Sequence, residues 1–238
     1  MLIFVIIPAY NEAGSIGNVI KDIRESVKDF MLRGDRAGVV VVDDGSTDET
    51  SRVAKEAGAI VLCHCVNRGQ GASLATATKY CLLNNADIII HFDADGQHDA
   101  TDIPILVRTL LDGQYDIILG SRFLGRALNI PLFKLITLKI AILFTRLFSG
   151  ISTTDTHNGI RALTKHAASV IQLTQDRMAH ASEIIDEIKR NNLKFKEVGV
   201  TIRYTSYASQ KGQSIFNAFS IVCDLIGSKI QKILNSKF

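Results

Sequence analysis

The sequence has no tryptophan, four cysteines, and no unbroken apolar run of the eighteen or so residues that a membrane-spanning helix needs. Cys63, Cys65, Cys81 and Cys223 form no C-x-x-C pair, so neither a disulfide framework nor a zinc ribbon is expected. Cys63-His64-Cys65 alternates like strand residues, and its cysteines read as core packing. The most apolar stretch, Pro131–Phe148, is broken by Lys134, Lys139 and Arg146. Met1–Ile7 is too short for a secretory signal and lacks a basic lead-in. A cytoplasmic protein is expected, able to touch the inner face of the cell membrane without crossing it. The formal charge of +3 is too small to argue for nucleic acid, and no nucleic-acid partner is expected.

Several catalytic signatures are missing as well. No G-x-x-x-x-G-K-[ST] phosphate loop occurs, and no G-x-S-x-G elbow for a serine hydrolase. Gly69-x-Gly71 has Leu74 where a dinucleotide fingerprint needs its third glycine. With 47% hydrophobic and 21% charged residues, what remains is a globular chain sized for one α/β domain.

The chain is organised around Asp87–His98. There an apolar strand-like run ends in Asp93-Ala94-Asp95-Gly96-Gln97-His98. Residues i and i+2 of an extended backbone point the same way, so Asp93 and Asp95 can present oxygens to one point. Two carboxylates that close repel unless a cation lies between them, and oxygen ligands suit Mg²⁺ or Mn²⁺. The competing reading is a solvated acidic turn.

The surrounding pattern favours the first reading. Apolar runs at Leu2–Pro8, Gly38–Asp43, Ala59–Cys63, Asp87–Phe92 and Tyr115–Gly120 alternate with helical periodicity at Ser15–Phe30, a helix capped by Ser46 or Thr47 and ending at Ala57, Ala72–Leu83 and Thr101–Leu111. Such alternation implies crossover units, a mostly parallel sheet and ligands at the carboxyl ends of the strands. Pro8–Glu12, Asp43–Asp48, Asp93–Gln97 and Ser121-Arg122 then share one rim. A helix over Pro131–Phe148 with Lys139 and Arg146 on one face, a helix over Ala179–Arg190 and an extended Leu193–Tyr204 follow. A polar loop at Ser206–Gln213 and an amphipathic helix over Ile215–Leu234 complete the chain.

Val5-Ile6-Ile7-Pro8-Ala9-Tyr10-Asn11-Glu12, Val42-Asp43-Asp44-Gly45-Ser46-x-Asp48, Asn67-x-Gly69-x-Gly71-Ala72, Asp93-Ala94-Asp95-Gly96-Gln97-His98 and Gly120-Ser121-Arg122-Phe123 occur in that order. The set resembles the inverting family-two glycosyltransferases of the GT-A fold, nearest the dolichyl-phosphate mannose synthase type. The likeness is close over roughly the first 125 residues and looser to about Ser214. It implies an α/β GT-A fold with a mostly parallel central sheet flanked by helices and amphipathic helices toward the C-terminus. Residues 1–125 would form the donor-binding half, and 126–238 the acceptor-binding and C-terminal helical part of the same domain.

The same resemblance assigns roles. Pro8, Ala9, Tyr10 and Glu12 would line the nucleoside, and Asp44 would hydrogen-bond its base. Asp93 and Asp95 would hold Mg²⁺ or Mn²⁺ and the diphosphate, with Gln97 a third ligand and Arg122 beside the diphosphate. Asp155, in Asp155-Thr156-His157-Asn158-Gly159-Ile160-Arg161, aligns with an aspartate that would serve a hydroxyl acceptor as base, or position an already ionised lipid phosphate. Arg203 and Lys211 would belong to a basic loop closing over phosphate. His180 and Glu183, close together on a helix, read as structural. The implied partners are a UDP- or GDP-linked sugar and a polyprenyl-phosphate or glycan acceptor, with peripheral membrane contact. A nucleotide-binding protein without transfer is the competing class. Without tryptophan, the Q-x-x-R-W signature of processive synthases is impossible. Gln70 stands where many relatives carry lysine, and Asn158 where cysteine or serine is usual.

Overall fold

The computed structural model describes residues 1–204 apart from 156, 157 and 178. Among these, seven strands form one sheet in the order β3-β2-β1-β4-β6-β5-β7. They are β1 (Leu2–Ala9), β2 (Arg36–Asp43), β3 (Ile60–Cys63), β4 (Ile88–His91), β5 (Ile117–Leu128), β6 (Arg161–Thr164) and β7 (Phe195–Arg203). The helices are α1 (Ile16–Ser26), α2 (Lys28–Leu32), α3 (Thr50–Glu56), α4 (Gln70–Leu83), α5 (Ile103–Asp112), α6 (Leu132–Ser149), α7 (Lys165–Val170) and α8 (His180–Arg190). All neighbouring strands pair in parallel except β6, which runs antiparallel to both β4 and β5.

Burial on both faces explains the continuous apolar runs. Ile3, Val5 and Ile7 of β1 pack under α1 and α5 through Ile16, Ile20, Ile23, Ile103, Leu106 and Leu110. On the other face, Phe4, Ile6, Val40 and Val42 meet Leu74, Ala77 and Cys81 of α4 and Ile184, Ile185 and Ile188 of α8. Each such side chain, once buried, contributes roughly 1.5–3 kcal/mol, so the central strands form a rigid base for whatever their ends carry.

Several details depart from the sequence reading. The Ser15–Phe30 segment breaks at Val27 into α1 and α2. β5 runs on to Leu128 through a register shift between Ser121 and Arg126, so Ser121 and Arg122 lie inside a bent strand and not beyond its end. The bend is possible because Gly125 and Gly199 pass backbone against backbone, where a Cβ on either would sit within 2.8 Å of the opposite chain. Neither Ser46 nor Thr47 caps a helix: α3 begins at Thr50, and both residues bind the β1 loop instead. Cys63 and Cys65 are exposed, and only Cys81 of the described cysteines is core. β6 and α7 went unread in the sequence. The Ser206–Gln213 loop, Lys211, Cys223 and the Ile215–Leu234 helix lie outside the described residues.

Candidate active site

The carboxyl ends of β1, β2 and β4 meet at one edge of the sheet, and hydrogen bonds between loops lock them together. Asn11 adopts φ 54°, a left-handed conformation that asparagine tolerates. Its backbone N–H donates to Ser46 Oγ at 2.9 Å, and its Oδ1 accepts from the Thr47 N–H at 2.8 Å. The Glu12 N–H donates to Thr50 Oγ1 at 2.7 Å, and the Asp44 N–H to the Ala9 carbonyl at 2.8 Å. Pro8, Ala9, Tyr10 and Glu12 are thereby fixed beside Asp43 and Asp44, with the Tyr10 ring left largely exposed.

Asp43 accepts from the Ser46 N–H and the Ser51 hydroxyl, ordering its own turn. Asp44, almost fully buried, accepts from the Gly69 N–H (2.6 Å) and the Arg68 N–H (3.0 Å), and pairs with His64 Nδ1 (2.7 Å). The far nitrogen of His64 lies 2.9 Å from Thr76 Oγ1 on α4. Asp44 thus ties β2 to the entry of α4. Gly71 is required at that entry because a Cβ there would lie 1.9 Å from the Gln175 carbonyl. In the sequence Cys63-His64-Cys65 reads as strand packing with a metal site as the alternative, and neither reading assigns His64 to Asp44, its partner in the fold.

The β4 end carries the acids. Asp93 Oδ1 accepts from Gln70 Nε2 at 2.9 Å, and Oδ2 lies 2.9 Å from His98 Nε2. Gln70 therefore fills the lysine position with a neutral donor. Burial opposes ionisation of Asp93, but the hydrogen bond and charge of His98, with Arg161 and His180 behind, hold its pKa down at about 2. Asp95 shows the opposite: burial, then the charge of Asp93, with Glu12 adding to it, raise its pKa. Among the described residues its Oδ1 accepts only the Gln97 N–H, at 3.0 Å. The charge of His98 offsets the rise only in part, and a carboxylate pressed by two acids is where a divalent ion fits. Asp93 and Asp95 lie close enough for their charges to interact, and the Gln97 backbone N–H turns back onto Asp95. No cluster of three His, Cys, Asp or Glu groups at coordinating distance occurs among the described residues. A partial protein shell completed by substrate phosphates is the usual arrangement for Mg²⁺.

Across β6, Arg122 and Asp155 form a buried pair. Asp155 Oδ2 accepts from Arg122 Nε at 2.6 Å and from the Arg122 backbone N–H at 3.0 Å. Arg122 Nη1 donates to Tyr204 Oη at 2.6 Å. Burial disfavours the guanidinium charge, but Asp155 and Tyr204 outweigh it and the Arg122 pKa is raised. Asp155 Oδ1 is buried with no donor among the described residues. Glu197 on β7 orders this loop by accepting from the Thr154 N–H at 2.8 Å and the Asp155 N–H at 3.1 Å. Neither Tyr204 nor Glu197 was singled out in the sequence. Arg203 sits apart: exposed, it pairs with Asp99, while its N–H donates to the Gln97 carbonyl at 2.8 Å. Glu183 accepts from the Thr174 and Gln175 N–H groups, each at 3.0 Å, and His180 Nδ1 is 2.8 Å from the Arg177 carbonyl.

A model of glycosyl transferase family 2 matches residues 4–169. The chain belongs to this family. It is similar, at 40% identity over 96% of its length, to the uncharacterized protein MJ1222 of Methanocaldococcus jannaschii, 92% of which is covered. The UDP-N-acetylglucosamine–dolichyl-phosphate N-acetylglucosaminyltransferase of Methanococcus voltae is 31% identical, with 98% of each chain covered. Among solved structures, glucosyl-3-phosphoglycerate synthase from Mycobacterium tuberculosis, bound to Mn²⁺, UDP and glucosyl-3-phosphoglycerate, superposes with a TM-score of 0.74 at 18% identity. That match covers 97% of this chain and 79% of the other, and it fixes the fold as GT-A. The chain is therefore a family 2 glycosyltransferase.

Proposed function

We propose that this glycosyltransferase is metal-dependent and inverting, and moves one sugar from a UDP- or GDP-linked donor to a polyprenyl-phosphate-type acceptor in cell-envelope glycan synthesis. The observation that carries the proposal is the paired arrangement at the sheet edge: Asp95 strained by like charges on one side, the buried Arg122–Asp155 pair on the other. Residues 1–125 hold the donor and the later part of the chain receives the acceptor. Pro8, Ala9, Tyr10 and Glu12 line the nucleoside. Asp44 faces the base through the lone-pair position that its three donors leave among about four.

Asp95, Asp93 and Gln97 would hold Mg²⁺ or Mn²⁺, which would supply Lewis-acid stabilisation of the negative charge on the departing diphosphate. Asp93, fixed by Gln70 and His98, orients Asp95 and the Gln97 turn. Arg122 presents a fixed cation near the same charge, and its side-chain bonds to Asp155 and Tyr204 keep it from swinging. The acceptor oxygen attacks the anomeric carbon from the face opposite the leaving group. A lipid phosphate arrives ionised, and Asp155 then only positions it. Arg203, whose side chain pairs with Asp99 at the rim, is the described basic group assigned to the phosphates; Lys211 lies outside the described residues. Asp155 Oδ1, buried with no donor among the described residues, supports the alternative, transfer to a saccharide hydroxyl whose proton it would accept.

Membrane contact is supported by α6. Leu132, Ile136, Ile140 and Leu143 recur at helical spacing and are 50–72% exposed, with Lys139 and Arg146 also exposed. No helix among the described residues is long and apolar enough to cross a membrane. We place the enzyme at the cytoplasmic face of the membrane. The first test is thermal shift with UDP, GDP and their sugars, with and without Mn²⁺, on the parent chain and Asp95→Ala. A metal-dependent shift for one base, lost in Asp95→Ala, supports the donor site; no shift with any refutes it. Labelled-sugar transfer to dolichyl or undecaprenyl phosphate, against transfer to a soluble saccharide, then decides the acceptor.

A further inference from the structure

Arg161 heads β6 and is the direct cross-strand partner of both His91 and Leu119. It stands between the strand that ends in Asp93 and the strand that carries Arg122. It is 3% exposed, and its Nη1 is buried without an acceptor among the described residues. A buried guanidinium without direct pairing is costly to keep. Burial lowers its pKa to about 10, and the acids whose charges reach it are Asp93 and Asp155.

Nothing beneath it relieves the cost. His91 is buried, both its ring nitrogens lack partners, and burial with the charges of Arg161 and His180 holds it neutral. The backbone leading to Arg161 is also fixed against the acidic rim: a Cβ on Gly159 would lie 2.0 Å from Asp93 Oδ2. A residue that only filled this space would be better apolar. What offsets the burial of a cation here is its field on two carboxylates, one on the metal side and one beside Arg122.

We propose that Arg161 is a positioning residue of the transfer site, whose buried positive charge serves Asp93 and Asp155 together, weakening the hold of the acidic rim on a bare divalent cation and favouring the anionic diphosphate. The proposal rests on the donor-site reading above. It makes a prediction of opposite signs. Removing the charge tightens cation binding and weakens nucleotide binding, whereas loss of a packing residue weakens both or neither.

The test measures two affinities separately: Mn²⁺ alone, by the paramagnetic resonance of the free ion, and UDP or GDP at saturating Mn²⁺, by calorimetry. In Arg161→Met, Mn²⁺ should bind several-fold tighter and the nucleotide about tenfold weaker, the scale expected for one unit charge roughly 12 Å away at an effective dielectric near 20. Arg161→Lys, which keeps the charge, should stay within about threefold of the parent on both. Should the Met chain not fold, Arg161→Gln, uncharged but polar, carries the same comparison. Both affinities moving the same way, or neither moving, in a folded uncharged variant overturns the proposal alone. A parent chain that binds neither Mn²⁺ nor nucleotide overturns the donor-site reading, and this proposal with it.

Discussion

Replacing Arg122 with methionine tests the centre of the site most severely, because the structure shows what would be stranded. Arg122 and Asp155 have side chains 6% and 0% exposed, so solvent does not screen their 2.6 Å contact. Methionine fills much of the same volume but removes the Nε and Nη1 donors. Asp155 Oδ2 then keeps the residue-122 N–H and a 3.4 Å approach from Asn158 Nδ2, and Oδ1 still has no described donor. Breaking a buried pair by removing one member costs about 3–5 kcal/mol, because the remaining charge is uncompensated. For a chain of this size that corresponds to a fall in Tm of roughly 6–20 °C.

The double variant Arg122→Met/Asp155→Asn separates this account from lost packing. With no charge left to strand, it should be more stable than the sum of the two single changes implies, by a coupling energy of about 2 kcal/mol in a urea-unfolding cycle. Transfer should be lost in all three variants. A single Arg122→Met variant destabilised by less than about 1 kcal/mol, or single effects that simply add, would refute the view that the pair acts as one electrostatic unit.

Three further outcomes follow from the same geometry. Gly159→Ala must displace Asp93, whose carboxylate lies 2.0 Å from the new Cβ, so Mn²⁺-dependent nucleotide binding should fall by an order of magnitude or more in a chain that still melts cooperatively; unchanged binding would contradict the assigned contact. His64→Ala removes a partner of buried Asp44 and should cost about 1–3 kcal/mol and weaken nucleotide binding, while an unaltered melting curve would remove His64 from the site. Cys81 is pushed up to about 12 by burial, so at pH 8 only about one in ten thousand is thiolate, and peptide mapping after alkylation should find it unmodified while exposed Cys63 and Cys65 react. Because its folded pKa lies above its unfolded one, its stabilising contribution is complete below about pH 8.5 and declines as pH rises toward 12, and Cys81→Ala should flatten that alkaline slope.

The legible and illegible parts of this site differ in how far apart their partners stand in the chain. The β1, β2 and β4 runs were readable because a parallel strand covered on both faces must be apolar throughout, and the acids that end them break that pattern abruptly. β6 offered no such signal: four residues, headed by a buried arginine, inserted antiparallel between β4 and β5 from far along the chain. The same holds for polar contacts. Ser46 and Thr47 carry the composition of a helix cap, yet in the fold they serve Asn11, 35 and 36 residues away, and that alternative is invisible until β1 and β2 are paired. Glu197 orders Asp155 from 42 residues away and Tyr204 braces Arg122 from 82, across a strand whose bend was itself unread. Sequence patterns name the groups that bear the chemistry, whereas the groups that aim them are chosen by sheet order. That is why Arg161, which in the linear chain only closes the Asp155–Arg161 segment, becomes in the folded one a buried cation on β6, between β4 and β5, within reach of the charges of Asp93 and Asp155.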